Sequence, residues 1–566
     1  MKEKFQTLIH NGPVFLPDYS VKGYKINKES LSPLAEEMLW NYAQKLDTEY
    51  VDDPAINKNF YNCLKHELSA AQKSLSFPAD FMPTLKDMKA KQLELKEAKK
   101  SREKSIRDAE KAEKDAMKAK YGWAVIDGKK QPLGAYMIEP PGMIMTRGKS
   151  PLKGMWKYRV MPEDVTINYI GPKESEPKAP AGHHWKEVIQ NKNGFIIDYY
   201  LVNVGNYVML TKRIMFGALS DVKIGADEHK FEKATRLCQN WNKIEKYIND
   251  GLVAKNPVTR ESALISWLIL RTGIRIGIEH DSIFENGTVG ASSLLVKNIN
   301  FNGLEMELNF IGKDSVPFKN SFDVPQVVKD ELISLQSGKK ASDKIFNNAN
   351  EGTVNKFLSD CVEGCTAKLF RTAYGTKLLA EELQKNPCSS KMSDAQKKAI
   401  YDNACLEVSK KLNHQRNVAK NYSDQITQTD DKIKAAKDAN RKTLDKCKEQ
   451  LKKLEKDVRT AKKVYTGNDL AEKMEKLKAK RNLIDARVKR SEERIEKLEL
   501  GKDLKKATKN ISLGTAKSAY SSPKIAFSWA RTNGVDIKFI YSASLQKKFS
   551  WAESVDDDYW KNYPNV

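Results

Sequence analysis

The chain of 566 residues is 40% apolar, so it can bury more than one hydrophobic core and is expected to form several domains. Its 98 lysines and arginines against 74 acidic residues give a formal charge of +24, which predicts a polyanionic partner such as nucleic acid, although lysines that only solvate helices would also raise the charge. The seven cysteines are scattered, which argues against a disulfide framework. The N-terminus has no apolar segment, which argues against secretion, and the chain has no apolar run of about 18 residues, which argues against a membrane-spanning helix. We therefore expect an intracellular protein located with its nucleic acid.

The first 417 residues divide into two blocks. Residues 1–225 mix strand-like and turn-rich segments, and the Tyr-Val-Met-Leu run at 207–210 indicates a short buried strand. Within this block, residues 86–120 are rich in Lys, Glu and Ala with few apolar positions, which indicates solvated helices. Residues 226–417 are predicted to be mainly helical, with one β-hairpin where apolar and polar residues alternate between Leu304 and Phe310.

Two heptad patterns occupy residues 418–503, and a Tyr-Thr-Gly-Asn-Asp break at 465–469 separates them. The apolar positions of the first pattern are Ile426, Ile433, Cys447, Leu454 and Ala461 on one series and Leu444, Leu451 and Val458 on the other. Those of the second are Leu470, Leu477, Ile484 and Leu498 with Met474, Val488 and Ile495. Two such helices joined by a short turn predict an antiparallel coiled coil. The short turn favours a hairpin within one chain over a dimerisation coil.

The last block, residues 504–566, is predicted to be a compact tail that contains Tyr520. A tyrosine hydroxyl can attack a phosphodiester and hold the broken strand as a phosphotyrosine, which keeps the bond energy for resealing. The segment 513–524, Leu-Gly-Thr-Ala-Lys-Ser-Ala-Tyr-Ser-Ser-Pro-Lys, resembles the active-site tyrosine region of the eukaryotic-type DNA topoisomerase IB family. This resemblance implies that Tyr520 is the nucleophile.

An arginine motif with two possible registers also resembles the family. Leu-Arg-Thr-Gly at 270–273 is one register, and Arg-Ile-Gly-Ile-Glu at 275–279 is the other. The Thr-Val-Gly that follows at 288–290 has the family's spacing only from the second register. The resemblance therefore implies that Arg275 clamps the phosphate and that Arg271 supports it, although Ile278 stands where the family commonly has Asn.

Three further segments resemble the family and follow in its order. The segment Phe-Ile-Gly-Lys-Asp-Ser at 310–315 implies that Lys313 is the general acid in the minor groove. The segment Thr-Ala-Lys-Leu-Phe-Arg-Thr at 366–372 implies that Arg371 is the second phosphate clamp. The segment Leu-Asn-His-Gln-Arg at 412–416 implies that His414 donates to a non-bridging oxygen. Each motif alone has a plain structural interpretation, namely a turn, a surface arginine or a hydrogen-bonded histidine. Five motifs in the same order, with a coiled coil between the fourth and fifth, indicate the family.

The N-terminal block carries the family's DNA-closing segments. His-Asn-Gly-Pro-Val-Phe-Leu-Pro at 10–17 resembles the start of the DNA clamp, and residues 139–164 resemble a segment that closes over DNA. By this match Arg147 contacts DNA near the cleavage site, with Asp314 close by. The remaining candidates for DNA binding are Lys149, Arg416 and Arg271.

Together the resemblance covers about residues 8 to 560 and implies a multidomain α+β fold. Its parts are a mixed α/β DNA-clamping cap at 1–225, a mainly helical catalytic core at 226–417, an antiparallel coiled-coil linker at 418–503 and a small helical C-terminal domain at 504–566. The implied activity relaxes supercoiled duplex DNA through a 3′-phosphotyrosine. It requires no cofactor or metal, and the implied protein is a monomer clamped around double-stranded DNA.

Two other functions remain open at this point. A tyrosine recombinase uses a similar set of residues, but it keeps its histidine and tyrosine close in sequence, whereas a long hairpin separates His414 from Tyr520 here. A non-enzymatic coiled-coil protein that organises DNA would explain the charge and the heptads but not the ordered motifs. We find no Gly-x-x-x-x-Gly-Lys-Ser/Thr phosphate loop, which disfavours an ATP-driven enzyme.

One departure from the family predicts a change in drug response. The residue before the tyrosine is Ala519, where the family commonly has an Asn that lines the pocket used by camptothecin-type drugs. We therefore predict weakened stabilisation of the cleaved complex by such a drug. A cleavage-complex assay that shows full sensitivity would contradict this prediction.

Overall fold

The computed structural model describes residues 3–146, 148, 150–205, 208–277, 288–419 and 421–565. These residues form two compact units. The first comprises the described part of Met1–Glu228 with Thr288 and Ile311–Ser315, and the second comprises the described parts of His229–Glu279, Val289–Phe310 and Val316–Val566. Within these ranges, every helix is too short or too polar to cross a lipid bilayer. The protein is thus a mixed α/β protein of more than one domain, as the sequence predicted.

The first unit combines antiparallel sheets with short helices. Its strands are β1 (Leu8–His10), β2 (Lys25–Ile26), β3 (Glu29–Ser30), β4 (Trp123–Ile126), β5 (Lys129–Pro132), β6 (Gly142–Met143), β7 (Trp156–Lys157), β8 (Val165–Asn168), β9 (Glu187–Ile189), β10 (Ile196–Val204) and β11 (Val208–Met215). Its helices are α1 (Pro33–Ala43), α2 (Pro54–Leu64), α3 (Ala70–Lys73), α4 (Met82–Lys100) and α5 (Lys104–Tyr121). The larger sheet has the order β6-β7-β10-β8-β9, with β11 paired to β10. The smaller sheets are β1-β4-β5 and β2-β3.

Two separate cores hold this unit together. One lies between α1, α2 and the start of α4, around residues such as Tyr42 and Phe60, and the other lies beneath the larger sheet, around Ile167 and Val202. Helix α5 buries none of its residues, and α4 buries only Leu85 and Met88 near its N-terminus. The charged stretch therefore forms helices that are largely solvated, because it lacks the apolar face that a core requires.

The strand predicted at residues 207–210 was only partly right. The strand β11 runs from Val208 to Met215, twice as far as the apolar run suggested, and Tyr207 lies outside the described residues. Most of it is not buried, since Met209 is 61% exposed, Ile214 alone among its residues is fully buried, and Val208 and Leu210 are only partly buried against the core. The reason is that, among the strands the structure describes, β11 pairs with β10 only, so one edge and one face of the strand meet solvent.

The second unit is mainly helical. Its elements up to residue 411 are α6 (Asp221–Gln239, which contains the boundary between the units), α7 (Trp241–Gly251), α8 (Pro257–Thr272), β12 (Ile299–Asn302), β13 (Glu305–Gly312, whose last two residues belong to the first unit), β14 (Val316–Asp323), α9 (Gln326–Gln336), α10 (Glu351–Cys361), α11 (Ala367–Lys385) and α12 (Asp394–Lys411). Beyond it lie α13 (Tyr422–Val464), α14 (Gly467–Ala507), α15 (Leu513–Thr515), α16 (Pro523–Thr532), α17 (Ala543–Lys548) and α18 (Tyr559–Asn562). The predicted hairpin is confirmed as β12-β13, and β14 extends it to three strands.

Capping residues in the sequence determine where the site helices begin. The Asn256 side chain accepts hydrogen bonds from the first free backbone N–H groups of α8, and the Thr366 side chain accepts one from a backbone N–H at the start of α11. Ser393 and Gln396 form a reciprocal capping box at the start of α12. Each cap satisfies donors that a helix leaves unpaired at its N-terminus, which fixes the register of the residues that follow.

A single core joins the helices on both sides of the long charged hairpin. Trp267 of α8, Phe370 of α11 and Tyr401 of α12 pack in the same cluster as Trp529 of α16. The apolar run that follows Tyr520 therefore docks on the helices that precede the hairpin. This packing brings the C-terminal tail and the central helices into one body.

Helices α13 and α14 pack against each other in opposite directions. Lys437 Nζ lies 2.7 Å from Glu499 Oε1, and Lys502 pairs with Asp430, so residues early in α13 meet residues late in α14. Their shared core contains Cys447, Leu454, Ala461, Leu477 and Ile484. Every one of these residues belongs to a predicted heptad series, and residues between the series are mostly exposed.

Candidate active site

Tyr520 lies at the end of a π-helical turn, Ala516–Tyr520. The backbone N–H of Ser521 donates to the carbonyl oxygen of Ala516 over 3.0 Å, which closes this wide turn, and Pro523 then starts α16. The Tyr520 side chain is half-buried. Single π-helical turns are rare and occur frequently at functional sites, because they redirect a side chain that an α-helix would place elsewhere.

The Arg371 guanidinium is locked in place by three hydrogen bonds. Its Nε donates to the carbonyl oxygen of Gly273 over 2.6 Å, and its Nη2 donates to that of Leu412 over 3.0 Å. The remaining nitrogen, Nη1, lies 3.2 Å from the Tyr520 hydroxyl oxygen. Arginine suits this position because its planar fork offers several donors in a fixed geometry.

The charge of Arg371 is poorly solvated. The residue is 4% exposed, and burial lowers the pKa of its guanidinium to about 10, against the opposing attraction of the Tyr520 oxygen. At neutral pH the group therefore stays protonated, since the solution pH lies well below this pKa. Its three described partners are two carbonyl oxygens and a hydroxyl, and none of them is a carboxylate. The buried cation can therefore stabilise negative charge at the tyrosine oxygen and at a phosphate beside it.

His414 lies beside the tyrosine ring, in the loop that follows α12. The two ring centroids are 4.9 Å apart and the rings are inclined by 35°. The loop is held by the His414 N–H, which donates to Ser409, and by the His414 carbonyl, which accepts from Ser512 over 2.8 Å. Asn413 adopts a left-handed conformation with φ of 53°, which asparagine tolerates better than most residues. The histidine motif and the tyrosine segment are thus joined through their backbones.

The imidazole of His414 is neutral at neutral pH. Burial, together with repulsion from Arg371 and Arg275, lowers its pKa to about 3. Neither ring nitrogen has a hydrogen-bond partner within the described part of the chain, although the residue is only 5% exposed. A buried polar group without a partner costs free energy, and a ligand with an acceptor oxygen would satisfy it.

A pH titration checks this assignment. We expect histidine-selective NMR to show a His414 imidazole that stays neutral from pH 7.5 down to about pH 4, because its folded pKa lies far below the usual 6.5. Between about pH 3 and 6.5 the unfolded chain binds a proton here that the folded chain does not, so acid must lower stability, by up to about 1.4 kcal/mol per pH unit for one proton. The His414 signal is identified as the one missing from the spectrum of His414→Asn. A titration midpoint of 6 or above for this signal would contradict the lowered pKa.

The two arginines of the first motif have different surroundings. Arg271 Nη2 lies 3.1 Å from Glu245 Oε1, so it is engaged in an ion pair, and its guanidinium carbon lies 5.7 Å from the centre of the Trp267 ring. Arg275 is exposed in the segment after α8, and its charge acts on both Arg371 and His414. The Arg275 carbonyl accepts from Ala291, which fixes the backbone there. This geometry favours Arg275 as the member of the site; Ile278 lies outside the described residues.

The structure places the other predicted residues as follows. Lys313 begins the short turn Lys313–Ser315 between β13 and β14, in the segment that belongs to the first compact unit. Arg147 and Lys149 lie outside the described residues, as does the side chain of Asp314. Arg416 Nη2 donates to the Thr508 carbonyl over 2.9 Å, so its side chain helps to hold the loop.

The sequence did not reveal which residues hold the tyrosine backbone. The Thr376 hydroxyl lies 3.3 Å from the Tyr520 carbonyl oxygen, and Gly375 faces the same carbonyl on α11. Both contacts join residues more than 140 positions apart, so apart from the glycine itself nothing in the local pattern of α11 marks them. A glycine in the interior of a helix is the one available signal, because it costs stability unless close packing requires it.

Adding one methyl group at Gly375 should therefore misplace the tyrosine. A Cβ at this position would lie 2.7 Å from the Tyr520 carbonyl oxygen and 3.1 Å from a Leu412 methyl carbon, so the backbone must shift. We expect Gly375→Ala to slow the strand cleavage that the sequence motifs imply by about tenfold or more, since small misplacements of reacting groups have large effects on rate. Gly501→Ala is the matched control, because open space surrounds Gly501 in α14, and it should leave cleavage unchanged. Equal rates for both variants would contradict the prediction.

The chain is similar to known proteins along nearly its whole length. Three family models match the chain. They are described as "Eukaryotic DNA topoisomerase I, DNA binding fragment", which matches residues 3–211, "Eukaryotic DNA topoisomerase I, catalytic core", which matches 219–447, and "C-terminal topoisomerase domain", which matches 492–561. It is 32% identical to DNA topoisomerase 1 of Chlorocebus aethiops over 98% of this chain and 71% of that protein, and 32% identical to the Homo sapiens protein over 98% and 72%. It is 31% identical to DNA topoisomerase 1 alpha of Arabidopsis thaliana, of which it spans 59%. The chain belongs to the eukaryotic DNA topoisomerase I family.

Proposed function

We propose that the protein is a type IB DNA topoisomerase, which relaxes positive and negative supercoils by cutting and resealing one strand of duplex DNA. The observation that carries the proposal is the Tyr520 hydroxyl, which lies 3.2 Å from the buried Arg371 guanidinium and beside the neutral His414 ring. This arrangement offers a nucleophile and two groups able to stabilise a phosphate. The family to which the chain belongs supports the same function.

The chemistry assigns a role to each group. The Tyr520 oxygen attacks the phosphorus, a new bond forms between them, and the bond from phosphorus to the 5′-oxygen breaks. Arg371, Arg275 and His414 donate to the non-bridging oxygens, whose negative charge grows in the transition state. Lys313 gives a proton to the departing 5′-oxygen, and the tyrosine proton passes to water or a neighbour.

Resealing reverses these steps. The 5′-hydroxyl attacks the phosphotyrosine, Lys313 takes back the proton and Tyr520 leaves. Because the phosphotyrosine keeps the energy of the broken bond, the cycle needs no ATP. Arginine and lysine supply the positive charge that a metal ion would otherwise provide, so we propose that the reaction requires no metal or other cofactor.

We further propose a role for each domain. Residues 1–225 and 226–417 form a clamp around duplex DNA, residues 504–566 supply the tyrosine, and the antiparallel coiled coil at 418–503 slows the rotation of the free duplex. The protein acts as a monomer. Since a clamp contacts mainly phosphates, its affinity for DNA should fall steeply with salt and depend weakly on sequence.

The site of covalent attachment tests the proposal. The protein is incubated with a duplex whose cut strand ends shortly after the cleavage site, so that the released fragment diffuses away and resealing fails. We expect a peptide that carries Tyr520 to retain the 3′ phosphate of the DNA, as mass spectrometry would show. Attachment at a 5′ phosphate, or through another residue, would refute the proposed mechanism.

A further inference from the structure

The π-helical turn that carries Tyr520 has a second anchor, at Lys517. Its ammonium nitrogen lies 2.6 Å from Asp402 Oδ1, donates to the Ile540 carbonyl over 3.2 Å and lies 5.4 Å from the centre of the Tyr401 ring. The Lys517 side chain is 12% exposed and that of Asp402 is 3% exposed. A lysine so enclosed has little freedom, so its place on the turn is fixed relative to α12.

Asp402 has two lysine partners that differ in burial. Its other carboxylate oxygen, Oδ2, pairs with Lys398, one helical turn earlier on α12, and the Lys398 side chain is 37% exposed. That position is on the rim of a groove between α12 and α14, where solvent screens the charge. Among the described residues, the bond to Lys517 is the one that connects the Asp402 carboxylate to an element other than α12.

Stability alone is a weak reason for such a pair. Removing two charges from water costs free energy, and apolar residues of similar size often stabilise a core as well or better. In some proteins, however, a buried ion pair selects one arrangement of the chain, because an arrangement that leaves one of the two charges buried alone costs free energy. Here the arrangement selected is a π-helical turn, which is less regular than an α-helix and needs support from its surroundings.

The geometry of the turn connects this pair to the nucleophile. Lys517 is three residues before Tyr520 within the same five-residue turn. At the other end, the Tyr520 carbonyl oxygen lies 3.3 Å from the hydroxyl of Thr376 on α11, which also donates to the Thr372 carbonyl over 2.8 Å. A relaxation of the turn towards an α-helix would change the rotation between Lys517 and Tyr520, and so the direction of the tyrosine hydroxyl.

We propose that Asp402 is a positioning residue that acts through Lys517 to hold the π-helical turn, and with it the Tyr520 hydroxyl, in the orientation for attack on phosphorus. The inference rests on the proposed function, since it assumes that Tyr520 is the nucleophile. Asp402 itself does not touch the DNA. Its effect is on the rate of the chemical step rather than on DNA affinity.

The experiment compares four variants of the full chain on the same interrupted duplex. We expect Asp402→Asn and Lys517→Met to slow single-turnover cleavage by about ten- to a hundredfold with little change in DNA affinity, as for a small misplacement of a reacting group. Lys517→Arg keeps the ion pair and should recover most of the rate. Lys398→Met removes the exposed partner of the same carboxylate and is the matched control, which should cleave at the wild-type rate.

Three results would overturn the proposal. These are wild-type cleavage rates in Asp402→Asn and Lys517→Met, an equal loss of rate in Lys398→Met, and a fall in melting temperature with no change in the rate per active molecule. The amount of covalent complex formed counts the active molecules, so partial unfolding does not mimic a slow chemical step. If the proposed function itself is wrong, the wild-type protein forms no covalent complex or Tyr520→Phe still forms one, and neither outcome resembles the three above.

Discussion

Tyr520→Phe is expected to abolish strand cleavage while DNA binding persists. Loss of a nucleophile that no neighbouring group replaces reduces the rate by about 10⁴-fold or more. Phenylalanine keeps the ring that packs beside His414 at 4.9 Å, so the surrounding structure should remain intact. The measurement is the yield of covalent complex on the interrupted duplex, together with the affinity for uncut DNA.

A second tyrosine provides the control for this experiment. Tyr465 lies at the break between α13 and α14 and is 39% exposed, so Tyr465→Phe removes the same oxygen far from the site. We expect this variant to cleave at the wild-type rate. Covalent complex in Tyr520→Phe at more than a trace, or its loss in Tyr465→Phe, would remove the basis for the proposed mechanism.

Arg371→Lys is expected to have the second largest effect, although it keeps the positive charge. A lysine ammonium cannot reproduce the planar fork that binds Gly273, Leu412 and Tyr520 at once. We expect cleavage to slow by about 10² to 10³-fold, the size of effect seen when one preorganised donor is lost from a charge-stabilising site. Carbonyl oxygens left without a donor would also lower stability by about 1–3 kcal/mol each.

Because Arg371→Lys is expected to lower stability, its control should be a variant that also loses stability. Arg260 binds the Glu331 carboxylate through Nε over 2.6 Å and the Ala254 carbonyl through Nη1 over 2.9 Å, in the same unit of the protein. Arg260→Lys should therefore lower the melting temperature without slowing cleavage. If Arg371→Lys cleaves as fast as Arg260→Lys at a temperature where both are folded, Arg371 has no part in the chemistry.

Local patterns in the sequence predicted those parts of the fold that depend on neighbouring residues. The heptad positions Leu454 and Leu477 are both in the core between α13 and α14, because a seven-residue repeat places one face of a helix towards its partner. The alternation between Leu304 and Phe310 correctly predicted a strand for the same kind of reason. By contrast, β11 was predicted as buried, because the sequence does not reveal that it lies at a sheet edge.

The site depends on contacts that no local pattern encodes. Arg371 and the Leu412 carbonyl are 41 positions apart, and Asp402 and Lys517 are 115 apart. The order of the motifs indicated that these segments meet, but it did not indicate which backbone atoms hold the arginine. The π-helical turn is similar, because Ala-Lys-Ser-Ala-Tyr has no residue that opposes an ordinary α-helix. Its shape follows from packing against α11 and α12.

The most direct test of the account is relaxation of supercoiled plasmid by the wild-type protein in EDTA and without ATP. We expect both negatively and positively supercoiled DNA to be relaxed, because strain in the duplex drives rotation in either direction and the phosphotyrosine stores the energy for resealing. Tyr520→Phe should relax neither substrate. Plasmid binding without relaxation by the wild-type protein, or relaxation that requires ATP or a divalent metal ion, would contradict the account.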